Sequence, residues 1–188
     1  MISFECSRSK GFTVFLTGLP GAGKSSLGNM LQVRLLEIGG PAAALLDGDA
    51  IRKQLSSDLG FSQEDRNENI RRIGCVAAEI TQNGGVCICA SIAPYDSARK
   101  AVRQMISSVG GFFLVYVNTP VDVCEARDRK GLYAKARAGL LAQFTGISDP
   151  YEPPGDAEIV IDTTDMGAET VADILIKRLQ EEGYIGQP

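Results

Sequence analysis

The sequence predicts one α/β domain in which a doubly wound parallel sheet of about five strands carries helices on both faces. Three observations support this prediction. Short apolar runs alternate with longer segments of helical periodicity along the chain of 188 residues. The run FFLVYV at residues 112–117 is apolar without interruption, as expected for a strand covered on both faces. A glycine-rich loop at residues 18–23 separates the first apolar run from the first helical segment, as in many such sheets.

The N-terminal part of the chain predicts a strand, a loop and a helix. Residues 1–10 are polar and irregular, and we interpret them as a leader or linker before a domain of residues 11–188. Residues 12–17 (FTVFLT) form a short apolar run that predicts a buried strand. The helix after the loop is indicated by apolar residues at helical spacing and by a Gly-Gly-Pro stop at residues 39–41.

The remaining elements follow the same alternation. A second strand at residues 42–46 ends at Asp47-Gly48-Asp49, and a short helix is predicted over residues 51–59. Ser62 is a suitable N-cap for a long helix that ends at Gly84-Gly85. Beyond this helix the patterns predict three strands, at residues 86–92, 112–117 and 158–161, and a turn at residues 93–94. They also predict three helices, at residues 95–107, from Pro120 onward, and at residues 168–182.

The composition excludes several classes of function. The formal net charge of -4 argues against a nucleic acid or a membrane surface as the main partner. The first ten residues lack the apolar core of a signal peptide, so we expect a cytoplasmic protein. The five cysteines contain no C-x-x-C pair, and Cys87 and Cys89 are expected to be buried small hydrophobic residues. The chain has no histidine, which removes histidine general-base chemistry and histidine-ligated metals.

Residues 18–25 (GLPGAGKS) match the spacing G-x-x-x-x-G-K-[ST] of the phosphate-binding loop of nucleoside-triphosphate enzymes. Glycines allow successive backbone N–H groups to point into one concavity, and this concavity opens onto a helix N-terminus that favours an anion. Lys24 supplies a mobile ammonium for the β- and γ-phosphates, and the Ser25 hydroxyl is a hard oxygen ligand for Mg²⁺. Strand, glycine loop and helix occur in the required order.

Two further features indicate which class of enzyme uses this loop. The third strand does not end in aspartate, so Asp47 and Asp49 at the carboxyl end of the second strand are the available acids. Residues 127–137 contain five cations and one acid, which is typical either of a solvated helix face or of a lid over transferring phosphate. Beside a phosphate loop in a short chain, the lid interpretation is preferred, and it gives the general plan of a small-molecule kinase.

At this point the sequence resembles the adenylyl-sulfate kinase family, which phosphorylates the 3′-hydroxyl of adenosine 5′-phosphosulfate (APS). The resemblance extends from Gly11 to Thr163 and rests on ordered blocks at residues 16–25 (LTGLPGAGKS), 46–49 (LDGD), 58–62 (DLGFS), 68–72 (ENIRR), 130–133 (KGLY), 135–139 (KARAG), 144–147 (FTGI) and 149–152 (DPYE). It implies the P-loop kinase fold with a lid, and ATP and Mg²⁺ as cofactors.

The resemblance also implies roles for single residues. Lys24, Asp47 and Asp49 would be catalytic, with Asp49 near the acceptor hydroxyl and with Ser25 and Asp47 on Mg²⁺. The residues that would hold ATP are Gly18, Leu19, Pro20, Gly21, Ala22, Gly23, Lys24, Ser25 and Ser26. Those that would bind APS are Asp49, Arg52, Phe61, Arg66, Asn69, Ile92, Ala93, Lys130 and Phe144, and in the family two rings matching Phe61 and Phe144 sandwich the adenine.

The family further implies a homodimer and an association or fusion with ATP sulfurylase. Ala93 stands where serine is common in the family, and some members with alanine here are similar to the kinase portion of fused sulfurylase–kinase proteins. Four alternatives stay open at this stage. Phe61 and Phe144 could be core aromatics, and Arg66, Arg71 and Arg72 could line a helix without binding a ligand. The domain could be another small-molecule kinase, such as a nucleoside-monophosphate kinase, or a catalytically silent ligand-sensing domain that regulates a sulfurylase.

Overall fold

The computed structural model describes residues 11–186, so the leader or linker predicted at residues 1–10 lies outside the described residues. Five parallel strands form one sheet in the order β2-β3-β1-β4-β5. The strands are β1 (Phe12–Thr17), β2 (Ala43–Asp47), β3 (Val86–Ala90), β4 (Gly111–Val117) and β5 (Ile159–Ile161). The helices are α1 (Lys24–Glu37), α2 (Gly48–Leu55), α3 (Gln63–Gln82), α4 (Asp96–Ser107), α5 (Val121–Arg127), α6 (Leu132–Arg137) and α7 (Ala168–Glu181). The predicted fold class is confirmed.

Helices cover both faces of the sheet because the strand side chains alternate in direction. In β1, Val14 and Leu16 belong to a core cluster with residues of α1 and α7. Phe15 points to the other face and belongs to a second cluster with residues of α3 and α4. Cys87 and Cys89 are fully buried in this second cluster, as predicted. Because all five strands are parallel, their carboxyl ends meet at one edge, where ligands bind in sheets of this kind.

Two predicted boundaries were wrong for identifiable reasons. The helix expected over residues 51–59 begins at Gly48 and ends at Leu55. It begins early because the Asp47 side chain accepts hydrogen bonds from the N–H groups of Asp49 and Ala50 and so caps the helix. The strand expected to reach residue 92 ends at Ala90, after which the chain turns at Ala93 with a positive φ of 45°.

The basic segment at residues 127–137 forms two short pieces. It contains the end of α5 and the whole of α6, joined through Gly131, whose φ of 64° is in the left-handed region. Asp128 accepts hydrogen bonds from the N–H groups of Tyr133 and Ala134 and so holds the start of α6. Within residues 11–186, no helix combines the length and the hydrophobicity that a membrane crossing requires.

Candidate active site

A cavity of about 1040 Å³ opens at the carboxyl edge of the sheet. Its lining comes from the glycine loop, α2, α3, the turn after β3, the basic segment and the start of α7. Of the residues predicted to form the site, all line this cavity except Gly18, Leu19 and Ala22. The structure therefore brings residues that are far apart in the sequence to one place.

The glycines of the loop have backbone conformations that side chains would obstruct. Gly18 has a φ of 149°, and a Cβ there would collide with the carbonyl oxygen of Val117. Gly21 has a φ of 78°, and its Cβ would lie 2.9 Å from the carbonyl oxygen of Cys124. Gly23 is the N-cap of α1 and offers no side-chain hydrogen bond to the first turn. The N–H groups of this turn are therefore open to an anion in the cavity.

The Lys24 ammonium is held inside the loop. Its Nζ donates to the carbonyl oxygens of Gly18 at 2.8 Å and Leu19 at 2.7 Å. Burial lowers the pKa of Lys24 to about 8, although the carboxylates of Asp49 and Asp47 act in the opposite direction. The cavity thus contains a poorly solvated cation beside an uncapped helix terminus, which favours a highly charged anion.

Asp47 connects the glycine loop to α2. Its Oδ2 accepts a hydrogen bond of 2.5 Å from the Ser25 hydroxyl, and its Oδ1 accepts from the N–H groups of Asp49 at 3.0 Å and Ala50 at 3.3 Å. Within residues 11–186, no three His, Cys, Asp or Glu side chains are close enough to hold a metal together. Ser25 and Asp47 supply a hydroxyl and a carboxylate, both hard oxygen donors of the kind Mg²⁺ uses when phosphate and water complete its shell.

Lys130 and Asp49 form an ion pair across the mouth of the cavity. The Lys130 Nζ contacts Asp49 Oδ2, and both side chains are largely exposed. An exposed pair of this kind contributes about 1 kcal/mol or less, so a ligand can separate it easily. The basic segment therefore reaches over the cavity and touches the acid on α2.

Phe61 and Phe144 stand at the same cavity but in different surroundings. Phe61 is 60% exposed, with the Arg52 guanidinium 4.3 Å from the ring centroid, so it is not a core residue. Phe144 is half-buried and packs edge-on against Tyr133, with ring centroids 4.9 Å apart. The alternative that these two rings are core residues is therefore wrong for Phe61 and holds in part for Phe144.

The polar side chains of α3 separate into two groups. Arg66 reaches out of its helix to Thr145 Oγ1 at 2.9 Å and lies 3.6 Å from Asp149. Asn69 is buried at the cavity wall, and its Oδ1 finds no hydrogen-bond partner within residues 11–186. Arg71 and Arg72 pair with Glu68 and do not line the cavity. The alternative that arginines line this helix without facing a ligand site therefore fits only Arg71 and Arg72.

Sequence reasoning missed a second set of lining residues beside Gly23. Arg127 donates to Thr163 Oγ1 at 2.8 Å and to the Thr163 carbonyl at 2.6 Å, and Thr163 Oγ1 donates to the Ala22 carbonyl at 3.0 Å. The other members of this set are Met166, Gly167, Ala168 and Val171. Arg127 could have been selected because it belongs to the basic segment. Thr163 and the start of α7 have no such sequence motif, and only the folding of the chain brings them to the glycine loop.

Comparisons with known proteins agree with this geometry. A family model described as adenylylsulphate kinase matches residues 10–162. A curated sulfate adenylyltransferase from Aspergillus oryzae is 49% identical over 176 residues, which are 94% of this chain and 31% of that protein. The chain thus spans about a third of the length of such curated relatives.

Two solved structures are similar over most of the chain. An APS kinase from Mycobacterium tuberculosis in complex with AMPPNP and APS is 41% identical with a TM-score of 0.86, and the match covers 91% of this chain and 98% of that one. A hexameric APS kinase from Thiobacillus denitrificans is 42% identical with a TM-score of 0.73, and the match covers 96% of this chain and 31% of that one.

Proposed function

Because the chain belongs to the adenylylsulphate kinase family, we propose that it transfers the γ-phosphoryl group of ATP to the 3′-hydroxyl of APS, giving 3′-phosphoadenosine 5′-phosphosulfate and ADP. One observation carries this proposal. A single cavity joins a phosphate-binding loop and its lysine to a carboxylate and an exposed ring flanked by arginines. The first group suits a phosphoryl donor, and the second suits a purine acceptor with anionic groups.

The donor side of the proposal is the glycine loop. The open N–H groups of α1 and the Lys24 ammonium would bind the phosphates of ATP, with Ser26 at the same helix terminus. The set beside Gly23, which includes Arg127 and Thr163, would then face the base and ribose. Ser25 and Asp47 would hold Mg²⁺, which when bound supplies charge neutralisation on the phosphoryl oxygens.

The acceptor side lies between α2, α3 and the basic segment. Phe61 and Phe144 would contact the adenine faces, while Arg52 and Arg66 would bind phosphosulfate oxygens. The unpaired Asn69 Oδ1 would accept a hydrogen bond from the acceptor, because a buried carbonyl oxygen without a partner is costly. Ile92 and Ala93 complete the wall. Asp49 would orient the 3′-hydroxyl, and Lys130 would leave Asp49 to close over the transferring group.

A panel of acceptors tests the proposal. ADP formation would be measured with APS, AMP, CMP and gluconate at equal concentrations. We expect kcat/KM for APS to exceed that of each other acceptor by about 10²-fold, since unmatched buried charges in the site penalise acceptors without the sulfate. A nucleoside-monophosphate kinase would prefer AMP or CMP, and a ligand-sensing domain would bind APS without releasing ADP. Either result would refute the proposal.

Removing either ring is expected to weaken APS binding more than ATP binding. Phe61→Ala and Phe144→Ala should each cost about 1–3 kcal/mol of APS affinity by loss of stacking. Phe61→Ala should leave the melting temperature almost unchanged because the ring is exposed, whereas Phe144→Ala also loses its contact with Tyr133. Calorimetry would measure both affinities, with Leu140→Ala, an exposed substitution next to the cavity lining, as control. Unchanged APS affinity in both variants would remove the rings from the acceptor site.

The pKa of Lys24 predicts proton uptake on ATP binding. Free Lys24 has a pKa of about 8, and nearby phosphate would raise it, so ATP should bind with uptake of protons at about pH 8–9. Calorimetry in buffers of different ionisation enthalpy measures this number directly. Lys24→Arg stays charged and is expected to abolish the uptake.

The same pKa predicts the stability of the ligand-free protein. In the unfolded chain the Lys24 pKa returns to about 10.5, so between pH 8 and 10.5 the unfolded state binds more protons. The contribution of Lys24 to the free energy of unfolding should therefore rise with pH in this window. An opposite slope relative to Lys24→Arg would contradict the placement of the ammonium.

Two further proposals concern the oligomeric assembly of the protein and its association with a sulfurylase. The curated relatives are about three times as long as this chain, and one similar structure is hexameric. We propose a homodimer that can associate with ATP sulfurylase or be fused to it, and light scattering with and without the sulfurylase tests both statements. The cytoplasmic location stays a prediction.

A further inference from the structure

Arg99 is a buried arginine that sequence reasoning did not select. It lies on α4, is 3% exposed and does not line the cavity. Burial of a guanidinium is costly unless its donors are used. The residues that use them show what this side chain holds together.

One donor of Arg99 supports the turn that follows β3. Its Nη1 donates to the Ala93 carbonyl oxygen at 2.6 Å. Ala93 is buried at the cavity wall with a φ of 45°, a conformation that costs a residue with a Cβ about 1–2 kcal/mol. Such a conformation persists only where the surroundings hold it. Arg99 supplies that restraint from behind the wall.

The second terminal nitrogen of Arg99 holds the segment that carries Phe144. It is shared with Asp96 on the same helix at 3.3 Å, and the Nε of Arg99 has no partner among the described residues. Its Nη2 donates to the Glu152 carbonyl oxygen at 2.6 Å, and Glu152 N–H donates to the Pro94 carbonyl at 2.9 Å. Tyr151, whose ring lies beside the guanidinium, donates to Thr17 Oγ1 at 2.9 Å, and Thr17 Oγ1 donates to the Ile92 carbonyl. The end of this segment is therefore fastened to the turn at residues 92–94.

The segment is in turn connected to the acceptor-binding side chains. Asp149 N–H donates to the Phe144 carbonyl at 3.1 Å, and Asp149 Oδ2 accepts from the Tyr95 hydroxyl at 3.0 Å. The same carboxylate lies 3.6 Å from Arg66 Nε. A shift of residues 149–152 would therefore move both Phe144 and Arg66.

From these contacts we infer that Arg99 is a positioning residue that sets the two walls of the acceptor site, the turn at Ile92–Ala93 and the segment from Phe144 to Glu152, at a fixed separation. This inference rests on the proposed function. A guanidinium fixes two carbonyl oxygens by a planar fork, which the point charge of lysine cannot reproduce. Arg99 makes no direct hydrogen bond to the donor side, where Lys24 and Ser25 are carried by the loop after β1 and by α1, so we expect a much smaller effect there.

The test compares Arg99→Lys and Arg99→Met with Arg103→Met. Arg103 lies one turn further along α4, pairs with Glu158 at 2.6 Å and packs over Phe112, away from the cavity. We expect both Arg99 variants to raise KM for APS by about 10- to 100-fold, as for an acceptor displaced by a fraction of an ångström, and to change KM for ATP less than about twofold. Arg103→Met should lower the melting temperature and leave both KM values unchanged.

A rescue experiment separates positioning from general destabilisation. Arg99→Ala leaves a space that guanidinium ion fits, so millimolar guanidinium, far below denaturing concentrations, should lower KM for APS, while methylammonium should not.

Equal increases in KM for APS and ATP would overturn the inference, as would Arg99→Lys behaving like Arg103→Met. Failure of both Arg99→Lys and Arg99→Met to fold would make the role structural and also overturn it. Absence of APS turnover in the unmodified protein would refute the proposed function, and with it this inference, whereas the other outcomes leave the function intact.

Discussion

Replacing Lys24 by alanine is expected to lower kcat by about 10²–10³-fold or more, because the transferring phosphoryl group loses its main side-chain cation. The ammonium is placed for this role, since it is buried in the loop and bonded only to two loop carbonyls among the described residues. Phosphate oxygens can replace these two carbonyl oxygens as acceptors of the Lys24 ammonium. The fold should survive, because removing a desolvated charge costs less than removing a paired one.

Steady-state kinetics and a thermal melt measure this expectation together. Lys135→Ala is the matched control, because Lys135 belongs to the same basic segment that includes Lys130 but does not line the cavity. The control should keep nearly full activity. If Lys24→Ala retained a rate within about tenfold of the unmodified protein, the loop would not be the site of phosphoryl transfer.

Replacing Asp49 by asparagine is expected to lower kcat by about 10²–10⁴-fold, the usual range for a positioned proton acceptor. ATP affinity should change little, because the Ser25–Asp47 contact and the cap of α2 do not use the Asp49 side chain. Activity would be lost because the acceptor hydroxyl is no longer oriented and its proton no longer has an acceptor. Asp58→Asn is the control, since Asp58 forms a comparable surface pair with Arg72 outside the cavity.

The pair with Lys130 offers a competing explanation for any loss at Asp49. A double-mutant cycle with Lys130→Met separates the two, because an exposed pair should couple by about 1 kcal/mol or less in the ligand-free protein. A kcat loss at Asp49 that disappears in the Lys130→Met background would show that Asp49 acts only by holding the basic segment.

The regular elements of the fold were predictable because they depend on local patterns. The strand at Phe12–Thr17 matches its predicted range, and Ser62 caps α3 through a hydrogen bond from Asp65 N–H. The boundary of α2 was not predictable in the same way. The resemblance implies a catalytic and metal-binding role for Asp47, but it does not predict that Oδ1 of Asp47 caps the helix. The sequence alone does not show that the two oxygens of one carboxylate have different partners.

The site was predictable to the extent that motifs mark it. The glycine loop, Asp49 and Lys130 come together as the resemblance implied, and their roles stay proposals. Arg127 with Thr163, and Arg99 with Ala93 and Glu152, join residues that are 36, 6 and 53 positions apart. Within α4, Arg99 lies three and seven residues before Val102 and Ile106, on the buried face of the helix. The spacing thus places Arg99 on the core side, but only the packing of α4 against the turn after β3 shows which carbonyl oxygens its guanidinium binds.

Following the γ-phosphate of ATP into product is the most direct test of the proposed reaction. The protein would be incubated with γ-labelled ATP, Mg²⁺ and APS, and the labelled product separated by charge and treated with a 3′-nucleotidase. We expect the label in a nucleotide that also carries sulfate, and we expect only the 3′-nucleotidase to release it as phosphate. Label found solely as inorganic phosphate, or in a nucleotide that the 3′-nucleotidase leaves intact, would contradict it.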